Sequence, residues 1–214
     1  MNALLLQLTD SGFPAGAFAH SGGLEALHQL GLLRGEAQLR ARLVEFTWHA
    51  ALGALPFLHD AHAGDAKRAD VAAQVFLSNH VAQRASQAQG KAFLLAAEAT
   101  LEVAKVTALR DALPHSHLAV AYGAVLATQP SISLDEARQA FLFSTVRSAL
   151  SSVVRLGVVG PLRAQAVMRG LHPVMEQALL ESRGLRGEDA VSVSPWLETA
   201  QAAHDRLYSR LFQS

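Results

Sequence analysis

The 214-residue sequence contains no cysteine. This absence excludes disulfide bonds and thiolate metal ligands, and it is typical of proteins in a reducing compartment. The sequence also lacks an excess of either charge, since 18 Lys and Arg residues balance 18 Asp and Glu residues. Nucleic acids and anionic membranes attract basic surfaces, so we expect neither as a partner.

Long hydrophobic runs are missing as well. A membrane-spanning helix needs about 20 consecutive apolar residues, and the best stretch, residues 46–58, is interrupted by His49, Gly53 and Pro56. The first residues have neither the basic start nor the apolar centre of a secretory signal. We therefore expect a cytoplasmic protein. Its length, with half of the residues apolar, fits a single globular domain over residues 1–214.

Neither a phosphate-binding P-loop nor a catalytic serine motif is found in the sequence. The glycines in residues 12–23 do not have P-loop spacing, and no lysine lies among them. A nucleophilic serine elbow is not formed around Ser21, because Ala19 replaces its first glycine. We expect no nucleotide binding by this chain alone. Ser21 or Gly22 is better interpreted as a helix start with Glu25 in the first turn.

Helical periodicity runs through most of the sequence. Apolar residues repeat at the three-and-four spacing of one helix face, as in the sets Leu39, Leu43, Phe46, Ala50 and Leu94, Ala97, Leu101, Ala104. Period-two alternation is not seen over a useful length. We predict an all-α fold: a single-domain helical bundle of roughly eight to ten helices with short loops. The predicted helix starts lie near residues 2, 22, 36, 54, 68, 91, 115, 133, 160 and 195.

Local signals support these boundaries. Ser133 and Glu136 have the spacing of a capping box, in which each side chain bonds the other residue's backbone amide. Ser194 is a candidate N-cap directly before Pro195. Residues 182–194 are polar and contain glycine, so we predict a mobile loop there.

Residues 10–23, here called the N-terminal loop, combine glycine and proline with aromatic rings. Phe13 and Phe18 lie within it, close to His20 and Ser21. Loops are normally polar and solvated. The two rings must therefore pack within their own domain or face a partner.

Residues 204–214, here called the C-terminal tail, are also unusually apolar for a chain end. If the tail were a helix, it would align three pairs of side chains: Leu207 with Leu211, Tyr208 with Phe212, and Arg206 with Arg210. Full burial of a Leu or Phe side chain contributes about 1.5–3 kcal/mol. We expect the tail to dock, either onto its own domain or onto a partner.

Ten histidines raise the alternative of a metal site. Glu25 and His28 have the Glu-x-x-His form of helical di-iron proteins, and Glu45 and His49 lie four residues apart. A helical-bundle metal-binding protein or metalloenzyme using these four residues is thus a second hypothesis. Only one strict Glu-x-x-His copy is present, so the set is incomplete.

The N-terminal segment resembles the signature of the urease accessory protein family UreF. The matching positions are Leu5, Leu6, Gln7, Leu8, Asp10, Ser11, Pro14, Gly16, Phe18, His20, Ser21, Gly23, Leu24 and Glu25. Further similarity is seen at Arg84–Ser86 with Gly90–Lys91, at Arg155–Leu156, and through the tail to Ser214. Val158, Pro161 and Ala164 depart from the family pattern, so the resemblance assigns no roles in that turn.

The resemblance implies an all-helical, typically dimeric protein without enzymatic activity or a cofactor. It implies an adaptor that joins the accessory scaffold UreD (also called UreH) and recruits or regulates the GTPase UreG, which delivers nickel to apo-urease. A purely structural subunit that leaves GTP turnover unchanged is the other possibility within this family. The candidate partner-binding residues are His20, Ser21, Glu25, Arg84, Arg155, Tyr208, Arg210, Leu211 and Phe212.

Overall fold

The structure is a computed structural model that describes residues 2–214. Within this range it contains eleven α-helices and no β-strand, which confirms the all-α prediction. The helices are α1 Ala3–Thr9, α2 Leu24–Gln29, α3 Gly35–Gly53, α4 Leu55–Asp60, α5 Ala66–Phe76, α6 His80–Thr100, α7 Val103–Ala112, α8 Leu118–Ala127, α9 Leu134–Arg155, α10 Pro161–Glu181 and α11 Pro195–Ala202. A π-helical segment, Ala61–Asp65, joins α4 to α5.

Helix α8 lies at the centre of the bundle. Its sequence is apolar on every face, and eight of its ten residues are buried. A helix without a polar face needs neighbours on all sides, and α8 packs against α4, α5, α6, α7 and α9. The long helices α3, α9 and α10 also pack against one another. None of the helices in residues 2–214 is both long and apolar enough to span a membrane.

The turn before α8 is fixed by a close approach to α6. A Cβ atom at Gly90 would overlap the carbonyl oxygen of Ser116, so only glycine fits there. Ser116 has a left-handed backbone with φ 60°. The buried Asp70 carboxylate accepts hydrogen bonds from the backbone amides of His115, Ser116 and His117, at 2.7–3.0 Å. These bonds hold the turn in place.

Several predicted boundaries are confirmed, and some are wrong. The capping box forms, since Ser133 and Glu136 bond each other's backbone amides at 2.8 and 3.3 Å. Helix α11 begins at Pro195, although the Ser194 side chain makes no capping bond. Helix α6 begins at His80 rather than near residue 91, because the Asn79 side chain caps its first turn.

Helix α7 was not predicted. The apolar repeat from Leu94 to Ala104 suggested one continuous helix, but α6 ends at Thr100 and Leu101 has an extended backbone. The predicted repeat is therefore wrong beyond Ala97.

Residues 182–194 contact the bundle at several points. The backbone amide of Gly187 donates to Asp60 at 2.9 Å, and the amide of Val191 donates to the Leu52 carbonyl at 3.1 Å. The His59 ring lies 2.9 Å from the Leu185 carbonyl oxygen. The mobility of this segment stays a prediction.

Candidate interaction surface

The C-terminal tail lies directly on the N-terminal loop. The Gln213 amide donates to the Ala19 carbonyl at 2.7 Å, and the Ser21 amide donates to the Ser214 carbonyl at 2.6 Å. The Ser21 hydroxyl also donates to the Ser214 carbonyl, at 3.0 Å, and His20 Nδ1 lies 2.6 Å from the Ser214 hydroxyl. The tail therefore docks onto its own domain.

The tail is not helical over its full length. A short 3-10 turn spans His204–Arg206, after which the backbone is irregular. The predicted helical pairs, such as Tyr208 above Phe212, are therefore wrong. In place of helical bonds, the loop and α2 bond the amides of Leu211, Phe212 and Gln213 and the carbonyls of Ser209 and Ser214.

Glu25 is the main anchor of the tail. It lies in the first turn of α2, as predicted, and is only 2% exposed. Its carboxylate accepts hydrogen bonds from the amides of Leu211 and Phe212, at 2.6 and 3.2 Å. It also pairs with Nε2 of the fully buried His204 at 3.1 Å. A buried carboxylate is stable only when its oxygens are bonded in this way.

The position of Glu25 depends on the backbone before α2. Gly23 has a left-handed backbone with φ 89° and lies against the backbone of α11 at Leu197. A side chain there would be strained and crowded. This turn aims both Ser21 and Glu25 at the tail.

Arg155, at the end of α9, joins the loop and the tail through two aromatic rings. Its guanidinium lies 3.7 Å from the ring centre of Phe18 and 4.3 Å from that of Phe212. It also donates to the Phe18 carbonyl at 2.5 Å. Such cation–π contacts stabilise by about 0.5–2 kcal/mol each. Arg155 therefore bonds a backbone carbonyl of its own chain.

Arg84 and Arg210 surround a single carboxylate on the tail. Arg84, on α6, donates to Asp205 at 2.8 Å, and Arg210 lies 3.6 Å from the same side chain. His80 is 3.2 Å away. The hydrogen bond from Arg84 is the main reason that the pKa of Asp205 falls below its usual value. The carboxylate that Arg84 contacts in this structure thus belongs to its own chain.

The outer side of the loop and tail carries apolar groups in contact with solvent. Phe18 is 71% exposed, Leu211 is 52% exposed and Tyr208 is fully exposed. Phe13 behaves differently, since its ring packs against Phe93 with centroids 5.8 Å apart. Of the two aromatic rings in the loop, only that of Phe13 therefore packs into the core. Aromatic residues exposed beside arginines are typical of protein interfaces.

The nine predicted residues thus divide into two groups. His20, Ser21, Glu25 and Phe212 face inward and hold the tail to the loop. In addition, burial, with smaller effects from His204 and Arg84, lowers the pKa of His20, which favours its neutral form. The outward group consists of Tyr208, Leu211 and, in part, Arg84, Arg155 and Arg210.

Sequence reasoning missed the tail residues that complete these contacts. His204 and Asp205 supply the partners of Glu25 and Arg84, and Ser214 supplies those of Ser21 and His20. The only hint in the sequence was the apolar character of the loop and the tail, which predicted that the tail docks. That hint does not specify which residues pair.

The metal hypothesis built on Glu25, His28, Glu45 and His49 is wrong. Residues 2–214 contain no group of three or more potential metal ligands among His, Asp and Glu. Glu25 is bonded to the tail, and Glu45 pairs with Arg42 at 2.7 Å. The four side chains do not form one ligand set.

Comparison with known proteins decides the family. A model of the UreF family matches residues 33–172, and full-length relatives extend the match over the loop and tail. The chain belongs to the UreF family. It is 34% identical over 218 residues to urease accessory protein F of Arabidopsis thaliana, with 97% of this chain and 90% of that protein covered.

Bacterial UreF proteins show similar agreement. Urease accessory protein UreF of Paenarthrobacter aurescens is 32% identical, covering 98% of this chain and 96% of its own. The UreF protein of Rhizobium leguminosarum bv. viciae is 31% identical over the same shares. The family suggested by the loop and tail motifs is thus confirmed along nearly the whole chain.

Proposed function

We propose that this UreF chain is a non-enzymatic adaptor in urease maturation. In this role it joins the accessory scaffold UreD/UreH and recruits and regulates the nickel-delivering GTPase UreG at apo-urease. It acts as a homodimer. Its relatives carry the name urease accessory protein, which supports an accessory role.

One observation carries the adaptor proposal: the loop and tail form one surface that is joined by hydrogen bonds and cation–π contacts inside and carries exposed apolar side chains outside. Glu25 and Arg155 hold the two segments together from below. Phe18, Tyr208 and Leu211 remain exposed above them. Water-exposed aromatic and aliphatic side chains on a pre-ordered surface can be buried by a partner without a large ordering cost.

The proposal is tested by replacing exposed side chains without disturbing the inner contacts. We expect the double variant Tyr208→Ser/Leu211→Ser to lose binding to the purified scaffold by about 30-fold or more, since a hot-spot side chain contributes about 2 kcal/mol or more. Val75→Ser is the matched control, because Val75 is 78% exposed and lies on α5, away from the loop and tail. Binding is measured by titration calorimetry and by co-purification.

A second measurement separates the adaptor from a merely structural subunit. Urease activation with nickel and GTP turnover by UreG are followed with the wild type and with a chain truncated after Asp205. We expect truncation to abolish both UreG recruitment and activation. Full recruitment and full activation by the truncated chain would overturn the proposal, and scaffold binding with unchanged GTP turnover would support the structural role instead.

A further inference from the structure

We propose that a deep pocket beneath the N-terminal loop binds a small oxyanion, of the class of phosphate and bicarbonate. The pocket has a volume of about 590 Å³. The loop forms one wall, and α3, α6, α8 and α9 form the others. Much of the lining is apolar, including Phe93 and Phe141. This inference does not rest on the proposed function.

Four buried polar atoms in this pocket have no partner within residues 2–214. Three are the Tyr122 hydroxyl, the Ser144 hydroxyl and Nε of Arg147, and the fourth is Nδ1 of His49, which donates or accepts according to the tautomer of the ring. Tyr122 is only 4% exposed. Buried polar groups in folded proteins almost always have hydrogen-bond partners. Nε of Arg147 can only donate and both hydroxyls can donate, so an acceptor would satisfy all three.

The three donors line the same pocket, and the Tyr122 ring packs against Phe141, one helical turn before Ser144 on α9. Ser144 and Arg147 lie three residues apart on α9 and so share one face of the helix. The positive charge of Arg147 lowers the pKa of Tyr122 and so partly offsets the effect of burial on that pKa. Burial prevails and raises the pKa of Tyr122, so its hydroxyl stays protonated and can donate.

The charge in the pocket favours an anion. Arg147 takes part in none of the ion pairs found in residues 2–214. The charged side chains that line the pocket are Asp10, Arg147 and Arg155, so their formal charges sum to +1.

Three histidines line the pocket, His20, His49 and His117, and they do not change this balance. Burial lowers the pKa of His20 and of His49, and it lowers the pKa of His117 to about 4. His117 is also held between Ser86 and Gln74, at 3.1 and 2.9 Å, an arrangement that suits a neutral ring. The three rings are therefore uncharged at neutral pH.

These donors fit an oxyanion better than other ligands. The planar guanidinium fork matches the oxygen spacing of carboxylate, carbonate and phosphate groups, and two hydroxyl donors can complete the shell. A cation would be repelled by Arg147. An apolar ligand would leave the three donors unsatisfied.

The test uses the full chain and two probes, inorganic phosphate and bicarbonate, in separate calorimetric titrations. Sodium chloride at the same ionic strength is the reference. We expect saturable binding of one anion per chain for at least one probe. Tyr122→Phe, which removes only the hydroxyl, should weaken binding about tenfold, as expected for one lost hydrogen bond. Arg147→Gln should abolish it.

Arg163→Gln is the matched control, since Arg163 is an exposed arginine paired with Glu36 at the surface. It should bind the anion like the wild type. Helical circular dichroism confirms that each variant is folded, and the isosteric Tyr122→Phe keeps the test decisive if Arg147→Gln does not fold. Failure of both anions to bind, or equal weakening by Tyr122→Phe and Arg163→Gln, would overturn the proposal.

Discussion

Glu25 shows how a single side chain determines the shape of the candidate surface. Its carboxylate is buried and receives three donors, all from the tail. Two of these are backbone amides of Leu211 and Phe212, so the bond geometry also sets the course of the tail backbone. Glu25, in the short helix α2 near the amino-terminal end, thus fixes the position of the C-terminal tail.

Replacement of Glu25 by Gln should loosen the tail while leaving the bundle folded. The amide group keeps one acceptor oxygen and loses the negative charge, and hydrogen bonds to charged groups contribute about 1.5–3 kcal/mol. We expect the amides of Leu211 and Phe212 to exchange with solvent at least about tenfold faster, as a loss of about 1.4 kcal/mol would produce. Hydrogen exchange followed by mass spectrometry or NMR measures this directly.

Glu36→Gln is the comparison variant, because Glu36 forms an exposed ion pair with Arg163 outside the tail. Exposed pairs contribute little to stability. Its tail amides should exchange at the wild-type rate. Unchanged exchange in Glu25→Gln would show that other contacts, such as those of Ser21 or Arg155, are sufficient to hold the tail.

At the scale of elements, the crossing of α6 and α8 organises the bundle. Gly90 allows the α6 backbone to touch the turn at Ser116, which leads into the largely buried α8. The atoms that a side chain would meet belong to the backbone, so they cannot move aside by a rotamer change. Closely packed interiors tolerate such additions poorly.

Gly90→Ala is therefore expected to destabilise the protein by about 1–3 kcal/mol, the usual cost of overpacking. Gly184→Ala serves as the control, since a Cβ at Gly184 meets no atom within 4 Å. It should change stability by less than about 0.5 kcal/mol. Urea unfolding followed by circular dichroism compares the two. Equal stability of both variants would contradict the close contact.

The helices differ in how well the sequence predicts them. Helices with clear periodicity and side-chain caps, such as α9 with Ser133, were predictable because those signals are local. The start of α6 at His80 was missed, since its main local signal is one residue, the Asn79 cap. Glycine at position 90 reflects a distant backbone contact, which no local pattern reports.

The candidate surface was predictable to a similar degree. Apolar residues in a loop and at a chain end indicated that both segments need something to pack against. They could not reveal that each segment packs on the other. The bonds of Glu25 to the amides of Leu211 and Phe212 involve backbone groups, which are the same in every sequence.

At the scale of the whole molecule, one connected hydrophobic core extends from Leu8 in α1 to Ala200 in α11. Helices from both ends of the chain contribute to it, since α11 packs against α2 and α6. A core shared in this way gives no obvious boundary at which part of the chain could unfold alone.

We therefore predict a single cooperative unfolding transition. The two tryptophans provide local probes, because Trp48 lies on α3 against the core and Trp196 is exposed on α11. In the variants Trp48→Phe and Trp196→Phe, the remaining fluorescence should change at the same urea concentration as the helical circular dichroism signal. An earlier transition at Trp196 alone would mean that α11 and the tail form a separate unit.

The contact between residues 19–21 and residues 213–214 has a consequence for biosynthesis. During translation the amino-terminal part of a protein emerges and folds first. The loop therefore stays uncovered until residues 213–214 have been synthesised. A product that stops before these residues would retain the helices yet lack this covering, so synthesis of residues 213–214 is a condition for assembling the surface.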